Sequence, residues 1–301
     1  MSDVGMEMAK DATDLFMDGT FATRPRPFYQ KCYLRGKIGD QVFTLGYALL
    51  PNKLQQTYED VLQFIADLCA DAGMPLDPIE VHTDGERGII NAAQKVFPRA
   101  KIQVCFFHVV DAIRKKFDKL GLRPLIDQNE DFRQFYQRVK NIFFLPAKFW
   151  PDAWAELLAN LDKNLLKMPA VKAVITYLTS TWIPTASSTD QRIRPNSVLY
   201  SPSMTGLYDV TGEIITNNFV ETHHAKMKKK AGDNPSLAKT LEVEQKEETS
   251  TMIDFRQRDR TRSKQRPEDR ERAIKRREFR ASLKTRIENG ANIAELVAGS
   301  F

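Results

Sequence analysis

The sequence predicts a mixed α/β fold: a five-stranded sheet flanked by helices, with an all-helical insertion and a charged helical C-terminal tail. Three observations predict it. Residues 14 to 50 alternate apolar and polar positions between turn signals, the pattern of half-buried strands. Residues 57 to 120 alternate helical spacing with short apolar runs, the pattern of strands joined by helices. Residues 122 to 183 lose strand patterning and carry aromatic stripes at helical spacing. Helix-linked strands pair in parallel and a hairpin pairs antiparallel, so the sheet must be mixed.

The first strand lies in DLFMDGT, from Asp14. A hairpin follows, FYQKCYLRG and VFTLGYALL, joined across Gly39 and Asp40. From Thr57, the residues Tyr58, Val61, Leu62, Ile65, Leu68, Cys69 and Ala72 fall on one helical face. Thr57 and Asp60 stand in capping-box positions, and Gly73 suits the C-terminal stop. IEVHT is a short buried strand ending at Asp84. A second helix runs from about Glu86 to Phe97, halted by Pro98. AKIQVCFF reads as the last strand, and a basic helix continues to about Leu120 before Gly121.

In the insertion, Phe132, Phe135, Tyr136, Val139, Ile142 and Phe143 form one stripe, and Trp150, Trp154, Leu157, Leu158, Leu161 and Leu165 a second. Pro169 opens a third helix bearing Val171, Val174, Ile175 and Leu178. These stripes are read as core packing, and Trp182 as a core or loop anchor. Residues 184 to 213 are turn-rich and read as loop. A further helix spans about Asn217 to Lys230, capped by Asn217 or Asn218. Beyond Pro235 the chain is charged and helical in pieces, with Pro267 breaking it. The expected organisation is a core over residues 10–120, a helical insertion and loop over 121–205, the last core helix within 206–235 and the tail over 236–301.

The chain of 301 residues is 42% hydrophobic and 28% charged, which excludes a wholly disordered, collagen-like or coiled-coil protein. No apolar run approaches the roughly 18 residues of a membrane span, and the opening MSDVGMEMAKDATD is too acidic and polar for a signal peptide. A soluble intracellular protein with no membrane partner is expected. Cys32, Cys69 and Cys105 are scattered and odd in number, so they build neither a disulfide framework nor a CxxC zinc module. The net charge is +6, and the stretch from Asp254 to Glu288 holds 14 Lys and Arg against 7 Asp and Glu. The basicity is therefore a C-terminal property, and a polyanion would feel it there first.

Three carboxylates stand out. Asp18 closes the first strand's apolar run, Asp84 follows the strand before the second helix, and Glu221 lies one turn inside the late helix. Ligands of open α/β sheets collect at the C-terminal ends of strands, so neighbouring first and fourth strands would open both aspartates onto one crevice within reach of that helix. Three carboxylates there require a cation. Hard oxygen ligands suit Mg²⁺ or Mn²⁺, and two such ions about 3.5–4 Å apart clamp the attacking and leaving oxygens of a phosphodiester. Each acid also has a plainer reading: Asp18 before Gly19 as a turn, Asp84 as a helix cap, Glu221 as solvated helix surface.

The wording around the acids resembles a known family. DGTF at 18–21, YALLPNK at 47–53 with Tyr58 after it, TDGERGIINAAQKVFP at 83–98, CFFH at 105–108 and TNNFVETHHAKMK at 216–228 look like the catalytic domain of Mutator-like element (MULE) transposases, over roughly residues 14 to 230. The resemblance implies an RNase H-like fold and a DDE mechanism with two Mg²⁺ or Mn²⁺ ions. Its reaction is the cutting of transposon ends and their joining to target DNA. It also implies Asp18, Asp84 and Glu221 as catalytic metal ligands, DNA as partner, work in multimers, and a nuclear location. Cys105 and His108 match the family's CxxH element. A zinc site from Cys105, His108 and one of His223 or His224 is conceivable, and a buried thiol with a satisfied imidazole is the plainer reading. Lys226, Lys228, Lys229 and Lys230 can meet DNA phosphates, form a solvated face or serve nuclear import.

The sequence departs from the family in one respect. Its members commonly carry zinc-binding DNA-recognition modules, which three scattered cysteines cannot supply. The expectation is a truncated element, a domesticated DNA-binding or transcription-regulating derivative without catalysis, or one part of a multi-gene system whose recognition module another protein supplies.

Overall fold

The computed structural model describes residues 1–185, 198–208, 218–258 and 267–298; within these, the side chains of 218–221, 267–270, 272–273 and 298 are outside the description. The chain opens with helix α1 (Asp3–Lys10), strands β1 (Asp14–Thr20), β2 (Gln30–Ile38) and β3 (Gln41–Leu50), and helix α2 (Gln55–Asp71). β4 (Glu80–Thr83), α3 (Arg87–Val96), β5 (Lys101–Val104) and α4 (Phe106–Lys119) follow. Then come α5 (Arg123–Gln128), α6 (Glu130–Asn141), α7 (Trp150–Ala159), α8 (Lys163–Lys167), α9 (Pro169–Thr181) and α10 (Pro202–Thr205). The C-terminal part forms α11 (Asn218–Ala231), α12 (Leu237–Arg256), α13 (Pro267–Glu288) and α14 (Ile293–Ala298).

Two compact units result. The first joins Met1–Cys105 to Thr216–Lys264, and the second joins Phe106–Ile215 to Gln265–Phe301. The first unit holds a five-stranded sheet of order β3-β2-β1-β4-β5. β1 pairs antiparallel with β2 and parallel with β4, and β4 pairs parallel with β5. Gly39, at φ 61°, supplies the positive φ that a two-residue hairpin between β2 and β3 needs. β1 is covered on both faces, with Leu15 and Met17 on one and Phe16 and Asp18 on the other, all buried. Tyr58 of α2 accepts a hydrogen bond from Gln30 on the Met17 side. On the Asp18 side, Tyr33 meets His223 of α11 edge-on at 4.7 Å and donates to Glu244 of α12.

The second unit is helical around an aromatic core. Phe132, Val139, Phe143 and Trp150 are fully buried, and the Trp150 indole N–H donates to the Leu145 carbonyl at 2.9 Å. Asn129 caps α6 by accepting from the Phe132 N–H at 2.8 Å, and Pro residues stand in the first turn of α5, α7 and α9. Phe279 of α13 meets Phe144 edge-on at 5.5 Å, and Asn141 donates to the Val297 carbonyl of α14. Trp182 is an anchor as expected, stacked on Tyr200 at 4.6 Å and donating to the Tyr177 hydroxyl. No helix among the described residues is long and apolar enough to cross a membrane.

The structure corrects four local readings. α1 was not expected; Ser2 caps it, and Met6, Met8 and Ala9 are buried. Thr57 is not the cap of α2, which begins at Gln55; its hydroxyl donates to Asn52, which also accepts the Leu54 N–H. β5 ends at Val104, and Phe106 already belongs to α4 because it packs against Phe143 and Phe144, while Phe107 faces solvent. A short apolar run does not by itself separate strand from helix. Pro267 starts α13, where its missing N–H costs nothing. Of the stretch read as loop, residues 186–197 and 209–213 lie outside the described residues, as does the proposed cap Asn217.

Candidate active site

β1 is the central strand, and the parallel ladder with β4 sets Phe16 opposite His82, whose rings stack at 4.4 Å. That pair is the last of the ladder; two residues beyond it on each chain segment stand Asp18, still inside β1, and Asp84, just past the end of β4. Asp18 is only 5% exposed. His224 of α11 approaches it, with Nδ1 at 3.9 Å from Oδ2, too far for a hydrogen bond. Asp84 is half-buried, and its Oδ1 accepts the Glu86 N–H at 3.0 Å, which fixes the carboxylate's orientation. Burial pushes the Cys32 thiol up, and the charges of Asp18, Asp84 and Glu86 push it further.

Glu86 links the site to the motif after β3. Lys53 pairs with it, and the Tyr58 hydroxyl donates to it at 2.9 Å while accepting from Gln30. Burial and the Glu86 charge both raise Tyr58, so the phenol stays protonated and remains a donor. A Cβ on Gly88 would come within 2.9 Å of the Lys53 carbonyl and 3.4 Å of the Tyr58 ring, so this close approach requires glycine. The sequence marked Tyr58 as a core position of α2 and as part of the motif that includes Lys53, but not as a partner of Glu86.

α11 is held by α12. Glu247 pairs with Lys226 and, at 2.7 Å, with Lys230, and it lies 3.8 Å from His223 Nδ1. Lys228 pairs with Asp233 at 3.0 Å, and Lys229 is exposed. Beneath α12 the fully buried Lys31 pairs with Glu244 at 2.6 Å, and Tyr33 donates to the same carboxylate oxygen. Burial, with Arg35 and other cations nearby, lowers His223 to about 2, so its imidazole is neutral. These buried polar residues had no apolar periodicity to announce them.

Glu221 stands one helical turn before His224 in α11, with its side chain outside the described residues. Cys105 is buried at the end of β5, donating its N–H to the Thr83 carbonyl at 2.9 Å. His108 lies in α4, with a buried Nδ1 that has no hydrogen-bond partner among the described residues. Among the described residues no group of three or more His, Cys, Asp and Glu side chains is arranged to hold a metal ion. Asp18 and Asp84 supply hard carboxylate oxygens, the donor type a hard divalent cation takes.

The family model described as the MULE transposase domain matches residues 15–112, from β1 into α4. The match includes Asp18, Asp84, Cys105 and His108 and stops before α11. A search of curated proteins found no match to the chain. The matched residues carry the mixed five-stranded sheet with both aspartates, so residues 15–112 are similar in sequence to a MULE transposase domain.

Proposed function

We propose that the chain is a DNA transposase whose first unit cuts and joins DNA by metal-dependent phosphodiester transfer. Asp18, Asp84 and Glu221 are its acids, and the nucleus is its place of work. The carrying observation is that Asp18, inside β1, and Asp84, just past the end of β4, each stand two residues beyond the Phe16–His82 pair of adjacent parallel strands. When bound, a pair of Mg²⁺ or Mn²⁺ ions supplies activation of a hydroxyl nucleophile and stabilises charge on the phosphoryl oxygens. The chain's own contribution is preorganisation. The sheet fixes Asp18 out of bulk water, the Glu86 N–H orients Asp84, and Lys53 with Tyr58 draws the Glu86 carboxylate to their side. Lys229, exposed on α11, is free to meet a phosphate, whereas Lys226 and Lys230 bond Glu247.

Supercoiled plasmid incubated with the full chain and Mn²⁺ tests this reading. The wild type is expected to nick it or insert into it. Asp18→Asn and Asp84→Asn are each expected to slow this by about a hundredfold or more with little change in melting temperature. Equal rates in wild type and Asp84→Asn would overturn the assignment.

A further inference from the structure

The segment between β1 and β2 carries two aromatic rings that the core does not use. Phe21, which follows the last residue of β1, is 45% exposed, and Tyr29, which precedes β2, is 48% exposed. Their rings meet edge-to-face at 5.6 Å, and the Lys53 ammonium lies 4.8 Å from the Phe21 centroid. Because β1 ends, β2 begins and β3 ends at the same edge, both rings share that edge with Asp18 and Asp84.

The segment is held in place. The Asn234 N–H donates to the Ala22 carbonyl at 2.9 Å, the Arg24 Nε donates to the Tyr29 carbonyl at 2.6 Å, and the Tyr29 N–H donates to the Leu50 carbonyl at 2.8 Å. Water-facing aromatics on a braced segment lose little freedom when they bind. With Arg24 bonded to the Tyr29 carbonyl and the Lys53 ammonium, itself paired with Glu86, over the Phe21 ring, they combine π-faces with cationic groups, the chemistry that single-stranded nucleic acid selects.

We infer that Phe21 and Tyr29 form a stacking platform for an unpaired nucleobase of the DNA strand that reaches Asp18 and Asp84. This rests on the proposed function and adds a subsite to it: the platform holds a base beside the phosphodiester that the acids address. An intact duplex keeps its bases stacked, so the platform favours single-stranded or frayed DNA.

The test is binding of a short single-stranded oligodeoxynucleotide containing 2-aminopurine to the full chain in Ca²⁺, with a blunt duplex of the same sequence for comparison. The wild type is expected to prefer the single strand and to change the 2-aminopurine fluorescence. Phe21→Ala and Tyr29→Ala should each weaken single-strand binding by about tenfold, Phe21→Trp should retain it, and duplex binding should change little. Circular dichroism and melting temperature identify any variant that fails to fold, and Phe21→Trp, which keeps the ring, then decides through quenching of the new indole by DNA. Single-strand affinity of the Phe21→Ala/Tyr29→Ala double variant within about twofold of wild type would overturn the inference. So would absence of single-strand binding by the wild type. Failure of the catalytic reading is seen separately, as absence of plasmid cleavage in Mn²⁺ by a protein that still binds.

Discussion

Lys31 is buried with no exposed surface, and its ammonium lies 2.6 Å from Glu244. Burial lowers its pKa, and the Glu244 carboxylate opposes that by favouring the charged form. Tyr33 donates to the same Glu244 oxygen, so the carboxylate is satisfied from the sheet side by two groups. Removing one partner leaves the other charged and out of water, which is worse than removing both. Lys31→Met should therefore destabilise the protein by about 3–5 kcal/mol, and the Lys31→Met/Glu244→Leu double variant should recover most of that loss. Urea denaturation of the single and double variants checks it; a double variant as unstable as the sum of its singles would show that the two residues are not coupled.

At the scale of elements, α12 fastens α11 through Glu247. Burial raises its carboxyl, but hydrogen bonds and charges from Lys226 and Lys230 prevail and hold it below the usual carboxylate range. A depressed carboxyl contributes stability above its unfolded pKa of about 4.3 and loses it as the pH falls through the folded value. The stability gap between wild type and Glu247→Gln should thus be on the order of 1 kcal/mol at pH 7, limited by screening at the half-exposed lysines, and should close below about pH 4. Denaturation curves at pH 7 and pH 3 decide; a gap that widens on acidification would contradict the account.

The elements themselves were largely legible. Gly73, at φ 71°, stops α2 where its placement after the apolar face suggested, and the hairpin turns at Gly39. The capping residues were less so. Thr57 resembles a cap in sequence, yet its hydroxyl donates to Asn52, which also accepts the N–H of Leu54 just before the helix, an arrangement that spacing alone does not encode. α12 reads as a polar helix; its buried residues mix Glu244 and Glu247 with Thr240, Val243 and Phe255, so ion pairs share its attachment with a few apolar contacts and no continuous apolar stripe announced it.

At the scale of the whole molecule, the candidate site depends on connections that span much of the chain. Asp18 and Asp84 are 66 positions apart, and the crossover through the hairpin and α2 brings their strands into one parallel ladder. The alternation of strands and helices made that adjacency readable, because helix-linked strands pair in parallel. The links from Glu86 to Lys53 and Tyr58, and from Glu247 to α11, were not readable, because each joins polar residues whose partners lie on other elements. Asp18, Asp84 and the backbone of Glu221 all belong to the first unit.

Binding of Mn²⁺ to the full chain, followed by electron paramagnetic resonance without DNA, tests the shared-cation claim most directly. Saturable binding by the wild type is expected, weakened about tenfold or more in each of Asp18→Asn, Asp84→Asn and Glu221→Gln. Binding that all three variants retain at wild-type affinity would mean that these carboxylates do not share a cation.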